Sequence, residues 1–240
     1  MLGVAMKPVA IFRHAAIEGP GLLAEFLDEQ SIPWQLICID AGEAVPISAS
    51  AFSGLVLMGG PMSVNDELPW ISPVLALIRE AVALDIPVLG HCLGGQLMSK
   101  ALGGSVTRNP VKEIGWGRVA VVDREIASDW LGDRYEFEVF HWHGETFSLP
   151  AGAQLLLSSG YCAHQGFVSG KHLGLQCHVE MTEAMIRDWC EVGADEIASC
   201  PVGSAVQTPA QILAEMTARL PQLHAVARRI YARWVKGLRD

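Results

Sequence analysis

The chain has 240 residues, half of them hydrophobic and 18% charged, with a formal net charge of -9. That composition describes a chain that fills a core, and it excludes disordered, collagen-like and coiled-coil classes. The acidic balance argues against general binding to nucleic acid or an anionic membrane. No apolar stretch reaches the roughly 18 to 20 residues that span a bilayer, because Arg79, Glu80 and Asp85 interrupt the longest one.

In the leading segment, Met1 to His14, Lys7 follows a short apolar stretch instead of preceding a long one. This does not read as a secretory signal, so the expected compartment is the cytoplasm, with Met6 a second candidate start. Val9 to Arg13 is a β-type run, Gly19 to Gln30 carries Leu22, Leu23, Phe26 and Leu27 at helical spacing, and Trp34 to Ile39 is a second run. The pattern repeats: Gly54 to Met58 ends in Gly59-Gly60-Pro61, Ile71 to Leu84 is helical, and Pro87 to Leu89 is a buried strand that feeds a helix through Gly94-Gly95. Strands alternating with helices of this length predict a mainly parallel sheet with helices on both faces.

After Gly104 the segments 118–122, 135–141, 154–158, 166–168 and 172–176 read as short strands that extend or flank the sheet. From Met181 the pattern is helical, with Thr208-Pro209 as N-cap and first turn and Pro221 expected to separate two helices. With no internal repeat or flexible linker, the chain reads as one α/β domain over 1–240: a core of about 7–182 and C-terminal helices over about 183–240.

The segment Pro87-Val88-Leu89-Gly90-His91-Cys92-Leu93-Gly94-Gly95-Gln96 runs a buried strand through a small-residue turn into a helix, with a cysteine at the turn. This is the geometry of a nucleophile elbow. Gly90 and Gly94 let strand and helix approach closely, and the helix N-terminus favours a thiolate. Such a nucleophile needs a proton shuttle and a group to orient it. At the end of the 172–176 strand, Cys177-His178-Val179-Glu180 supplies an imidazole, with Glu180 two residues on to hold its tautomer. Backbone donors for an oxyanion come from Leu93, the residue after the cysteine, and from the Gly59-Gly60 turn.

At these residues the chain resembles the class I glutamine amidotransferases, a family with a G-x-C-x-G-x-Q elbow and a downstream H-P-E. The elbow is complete as Gly90, Cys92, Gly94 and Gln96, the oxyanion turn matches as Gly59-Gly60-Pro61-Met62-Ser63-Val64, and Val179 stands where the family has proline, which predicts a less rigid turn. The resemblance covers about residues 50–180 and implies the family's flavodoxin-like fold, a triad of Cys92, His178 and Glu180, and a γ-glutamyl thioester intermediate. Phe140 to Phe147 is similar to the family's loop for the amino-acid end of glutamine. By the same matching Gly60, Leu93, Gln96, Trp142 and Gly144 line the glutamine pocket, with Gly60 and Leu93 forming the oxyanion hole. That loop is most similar to stand-alone members resembling the amidotransferase half of GMP synthetase, some of which act as γ-glutamyl peptidases.

The implied reaction is cysteine-dependent hydrolysis of the glutamine side-chain amide, with no metal or organic cofactor. The 60 residues after Glu180 are too few for a nucleotide-activating domain, and no G-x-x-x-x-G-K-[ST] loop occurs, so passing ammonia to an acceptor requires a separate synthetase subunit. An independent γ-glutamyl peptide or amide hydrolase is the second enzyme reading, and a non-catalytic regulatory module is the reading from another class. The remaining features are expected to be structural. Strand alternation points His91 away from Cys92, Cys177 is a buried inert thiol, and His141-x-His143 lacks carboxylate or thiolate companions at metal-ligand spacing. Arg228, Arg229, Arg233, Lys236 and Arg239 form a solvated face.

Overall fold

The computed structural model describes residues 6–201 and 205–239, so residues 1–5 of the leading segment lie outside it. Its strands are β1 (Val9–Arg13), β2 (Trp34–Cys38), β3 (Gly54–Leu57), β4 (Val88–His91), β5 (Val106–Val121), β6 (Glu136–Phe147), β7 (Gln154–Ser158), β8 (Gly166–Ser169) and β9 (His172–Leu175). The helices are α1 (Leu22–Glu29), α2 (Ile71–Ala83), α3 (Leu93–Ala101), α4 (Arg124–Leu131), α5 (Glu183–Val192), α6 (Ala194–Ser199) and α7 (Pro209–Trp234).

All nine strands join one sheet in the order β2-β1-β3-β4-β9-β8-β7-β5-β6. The β2-β1-β3-β4-β9 half is parallel, and the rest is antiparallel. In the parallel half β3, β4 and β9 are buried along their whole length, as strands covered on both faces must be. One face packs against α1, α4, α5, α6 and α7 through residues such as Leu27, Trp130, Trp189 and Trp234. The other packs against α2 and α3 through Val74, Ile78, Leu97 and Met98.

Two local expectations are corrected. Pro221 does not separate two helices; it lies inside α7, whose apolar stripe continues through Leu220, Leu223, Val226 and Ile230. Proline removes the hydrogen bond to the carbonyl four residues earlier, but Thr217 and Pro221 both lie on the exposed face, where water can take up that carbonyl while the buried stripe holds the helix together. The second correction is α4, which interrupts the β-rich half. Asp123 caps it by accepting from the N–H groups of Glu125 and Ile126. The start of α7 is as expected: Thr208 and Gln211 form a reciprocal capping box with proline at the first turn.

The basic C-terminal face is largely paired within the chain. Arg228 meets Glu29, Arg233 meets Asp129, Arg239 meets Asp85, and Arg229 donates to the Ser128 carbonyl.

Candidate active site

The loops leaving the carboxyl ends of β1, β3, β4 and β9 meet above four adjacent strands, where chain direction around the sheet reverses. Open parallel sheets place ligand sites at such a switch point. A pocket of about 400 Å³ lies there, lined among others by Glu18, Gly60, Cys92, Gln96, Trp142 and Gly144.

Cys92 is the hinge of the β4-to-α3 turn. Its φ of 50° and ψ of -107° place a non-glycine residue in the left-handed half of backbone space, a conformation that persists only when its surroundings enforce it. Those surroundings are backbone contacts. A methyl group on Gly94 would come within 2.0 Å of the Leu57 carbonyl oxygen of β3, and one on Gly90 within 2.4 Å of the Gly94 carbonyl carbon. The N-terminus of α3 therefore rests directly on the sheet. The Cys92 N–H donates to the Leu175 carbonyl of β9 at 2.8 Å, which fixes the thiol at the pocket floor.

Leu93 begins α3, so its N–H is among those a helix leaves without an internal partner. The Leu93 side chain is buried in the core and reaches Gly60, where an added methyl would meet Leu93 Cδ2 at 2.8 Å. The two turns expected to supply backbone donors are thus in contact.

His178 follows β9 and is tied to β6 by two backbone hydrogen bonds, its N–H to the Phe140 carbonyl at 2.8 Å and the Phe140 N–H to its own carbonyl at 3.2 Å. Its Nδ1 pairs with Glu180 Oε1 at 2.6 Å, both side chains being buried. The other nitrogen, Nε2, makes no hydrogen bond in this geometry. Burial alone would lower the imidazole pKa, but Glu180, followed by Cys92, outweighs it and raises the value well above 6.5. Burial alone would raise the Glu180 pKa, but His178 and then His91 bring it down to about 2.

The Val179 N–H donates to Glu180 Oε2 at 2.9 Å, a bond that proline in the same place has no N–H to make. Backbone pairing to β6 and this extra donor hold a turn whose sequence predicts looseness.

These shifts set a pH signature. Glu180 stabilises the fold above its unfolded pKa near 4.5, and that contribution is lost as pH falls toward about 2; His178 stabilises it below about 6.5 and loses the effect as pH rises through its higher folded value. Glu180→Gln is therefore expected to flatten the fall in Tm between pH 4.5 and 2.5 and to lower turnover by about 10²- to 10⁴-fold. A variant with wild-type turnover would show that Glu180 does not assist His178 in the chemistry.

A model of the class I glutamine amidotransferases matches residues 27–186. The chain belongs to the class I glutamine amidotransferase family. It is 29% identical over 210 residues to the glutamine amidotransferase-like protein YfeJ of Salmonella typhimurium, covering 84% of this chain and 87% of that protein. It is 32% identical over 165 residues to the glutamine-hydrolysing GMP synthase of Acinetobacter baylyi, covering 67% of this chain but 29% of the synthase. The crystal structure of a glutamine amidotransferase from Methylobacillus flagellatus superposes with a TM-score of 0.96 at 45% identity, over 98% of this chain and 97% of the other. One from Thermotoga maritima gives 0.86 at 30% identity, over 97% and 100%.

In this amidotransferase-family chain Gly60, Cys92, Gln96, Trp142 and Gly144 line the pocket, whereas His178 and Glu180 are buried and do not. Leu93 lines no part of the pocket with its side chain. Gln96 lines it while its Nε2 donates to Gln176 Oε1 at 3.2 Å, and Gln176 Nε2 in turn lies 3.5 Å from the Cys92 sulfur. Gln176 was not singled out from the sequence, although strand alternation, which puts it on the same side as His178, is a signal that finds it. Trp189 of α5 was not; its ring meets His178 edge-on at 4.8 Å. His91 stands between Tyr231 of α7 and the His178–Glu180 pair, its Nε2 3.5 Å from the Tyr231 hydroxyl and 3.8 Å from Glu180 Oε2. Burial pushes the Cys177 thiol well up.

The expectation that His141 and His143 lack a carboxylate companion is overturned. The β5–β6 register sets Glu113 opposite His143, with Glu113 Oε2 3.1 Å from His143 Nε2, and ligand atoms of the three buried residues lie within 4.8 Å of one another, so that they could hold a metal ion. The carboxylate is already well supplied with donors: Ser159 Oγ at 2.9 and 3.1 Å and Gln165 Nε2 at 2.7 Å. Ser159 and Gln165 thereby tie the cluster to the β7–β8 turn, while both His141 ring nitrogens and Gln165 Oε1 have no hydrogen-bond partner among the described residues. Glu113→Ala is expected to cost about 3 kcal/mol by stranding these buried groups, while a chelator leaves the wild-type Tm unchanged. A chelator-induced drop of similar size would instead identify the cluster as a metal site.

Proposed function

We propose that this chain hydrolyses the side-chain amide of γ-glutamyl compounds, glutamine included, through a thioester on Cys92. The proton given up by the Cys92 thiol rests on His178 Nε2, and Cys92 Sγ attacks the amide carbonyl. The N–H groups of Leu93 and Gly60 receive the developing oxyanion. His178 then protonates the departing nitrogen, ammonia or an amine leaves, and the same imidazole activates the water that releases glutamate. Glu180 accepts from Nδ1–H throughout and stabilises the imidazolium. Gln96, Trp142 and Gly144 line the side of the pocket that takes the amino-acid end. No step draws on a metal or organic cofactor.

The observation that carries this reading is the buried His178–Glu180 pair, whose imidazole also interacts with Cys92, a cysteine held at an enforced left-handed turn. The activity of the GMP synthase relatives supports glutamine as substrate and a separate synthetase as a recipient of the ammonia. The test is glutamate release from glutamine and γ-glutamyl amides by the purified chain, with mass-spectrometric capture of a γ-glutamyl adduct on Cys92. Absence of both release and adduct would remove the hydrolase reading and leave the non-catalytic module.

A further inference from the structure

Among the described residues that line the pocket, Glu18 is the one ionisable group that the proposed reaction leaves without a task and without a side-chain hydrogen bond or ion pair. It stands on the loop between β1 and α1, lines the pocket and is half-buried. Its position is fixed by its neighbour. A methyl group on Gly59 would lie 2.1 Å from Glu18 Oε2 and 3.2 Å from His178 Cε1, the ring carbon between the two imidazole nitrogens. The carboxylate and the edge of the imidazole therefore flank the same glycine.

The loop is held rigidly. Trp189 Nε1–H donates to the Ile17 carbonyl at 2.9 Å, and the Leu22 N–H donates to the Glu180 carbonyl at 2.9 Å. Other pocket carboxylates are occupied: Glu196 accepts from Lys112 at 2.5 Å and from Trp142 Nε1 at 2.8 Å, and Glu145 accepts from Ser63 Oγ at 3.1 Å. Among the side-chain hydrogen bonds of the described residues none involves Glu18. Burial, with Glu180 adding to it and His178 opposing it, raises its pKa to about 7, so a bound donor or cation would draw it into the ionised form.

The departing nitrogen must approach His178 to be protonated, so whatever it carries comes to lie beside Glu18. Among the pocket-lining ionisable groups there are three glutamates against one lysine, and that lysine is committed to Glu196. Trp142 and Trp189 add aromatic surface, which attracts cations. An amino acid as leaving group would carry its carboxylate into this acidic surrounding, where like charges repel.

Resting on the hydrolase reading above, we infer that Glu18 selects the leaving group, and that the preferred substrate class is γ-glutamyl amides of cationic amines over γ-glutamyl amino acids. The experiment compares kcat/KM for three probes of similar size: γ-glutamyl-2-aminoethylamide, γ-glutamylethylamide and γ-glutamylglycine. The wild type is expected to prefer the cationic probe over the anionic one by about 100-fold, and Glu18→Gln to shrink that ratio by about tenfold or more, mainly through KM. Glu18→Lys is expected to reverse the order, and Cys92 adduct formation reports that each variant retains a working site. Cys92-dependent release with no charge preference, or a preference that survives Glu18→Gln, overturns this inference and leaves the hydrolase reading intact. Silence on all three probes and on glutamine, with no Cys92 adduct, overturns the hydrolase reading and this inference with it.

Discussion

Cys92→Ala is expected to lower glutamate release by on the order of 10⁴-fold or more, to the background rate, while the protein stays folded. In the proposed reaction Cys92 is the nucleophile of a relay that acts as a unit, so its removal costs nearly the whole of the catalysis, the imidazole and oxyanion donors having little to act on without it. Alanine keeps the Cβ and meets the same backbone demand at φ 50°, so the change deletes one sulfur atom facing the pocket. Thermal unfolding and glutamate release on the same preparations separate the two effects. Residual release above about 1% of wild type would show that some other group attacks the amide.

Gly94→Ala is expected to have the largest effect on stability, about 3 kcal/mol or more. The added methyl would sit 2.0 Å from the Leu57 carbonyl oxygen and 2.7 Å from its carbon, both backbone atoms of a buried central strand. Accommodating it requires α3 to lift off β3, and close-packed interiors resist such displacement. The Cys92 turn rides on the same helix, so a surviving fraction of folded protein should also form adduct poorly. Gly160→Ala, with nothing within 4 Å of the added methyl, is the control. Equal unfolding midpoints for the two variants would mean that α3 is not seated on the sheet.

The parallel half of the fold was legible because its strands are short apolar runs ended by glycine turns, a local signal; β1 falls where the sequence places it, and β2 and β3 start at the expected residues. The antiparallel half was less so. β5 begins twelve residues before the expected run at Arg118, carries Pro110 and shifts register between Arg108 and Glu113, so it reads as turn before it reads as strand. The helix α4 has only eight residues, too few for periodicity to stand out. Within the site, Cys92 was legible because it follows β4 directly in a recognisable turn, and the His178–Glu180 pair because the two lie two residues apart just beyond β9. Glu18, Trp189 and Glu113 were not, because loop placement, helix docking and strand register bring them to the site from across the fold, and none of these leaves a spacing in the chain.

The Val179 N–H has one consequence beyond holding the turn. A proline would constrain its segment covalently at any pH, whereas a hydrogen bond to a carboxylate is a constraint that the proton can loosen. Order in the turn is thereby linked to the charge state of the group that orients His178: while Glu180 is ionised, the same negative charge aligns the imidazole and tightens the backbone that carries it. Protonating the carboxylate weakens both ties together, so alignment and rigidity are expected to fail over one pH interval as a single event.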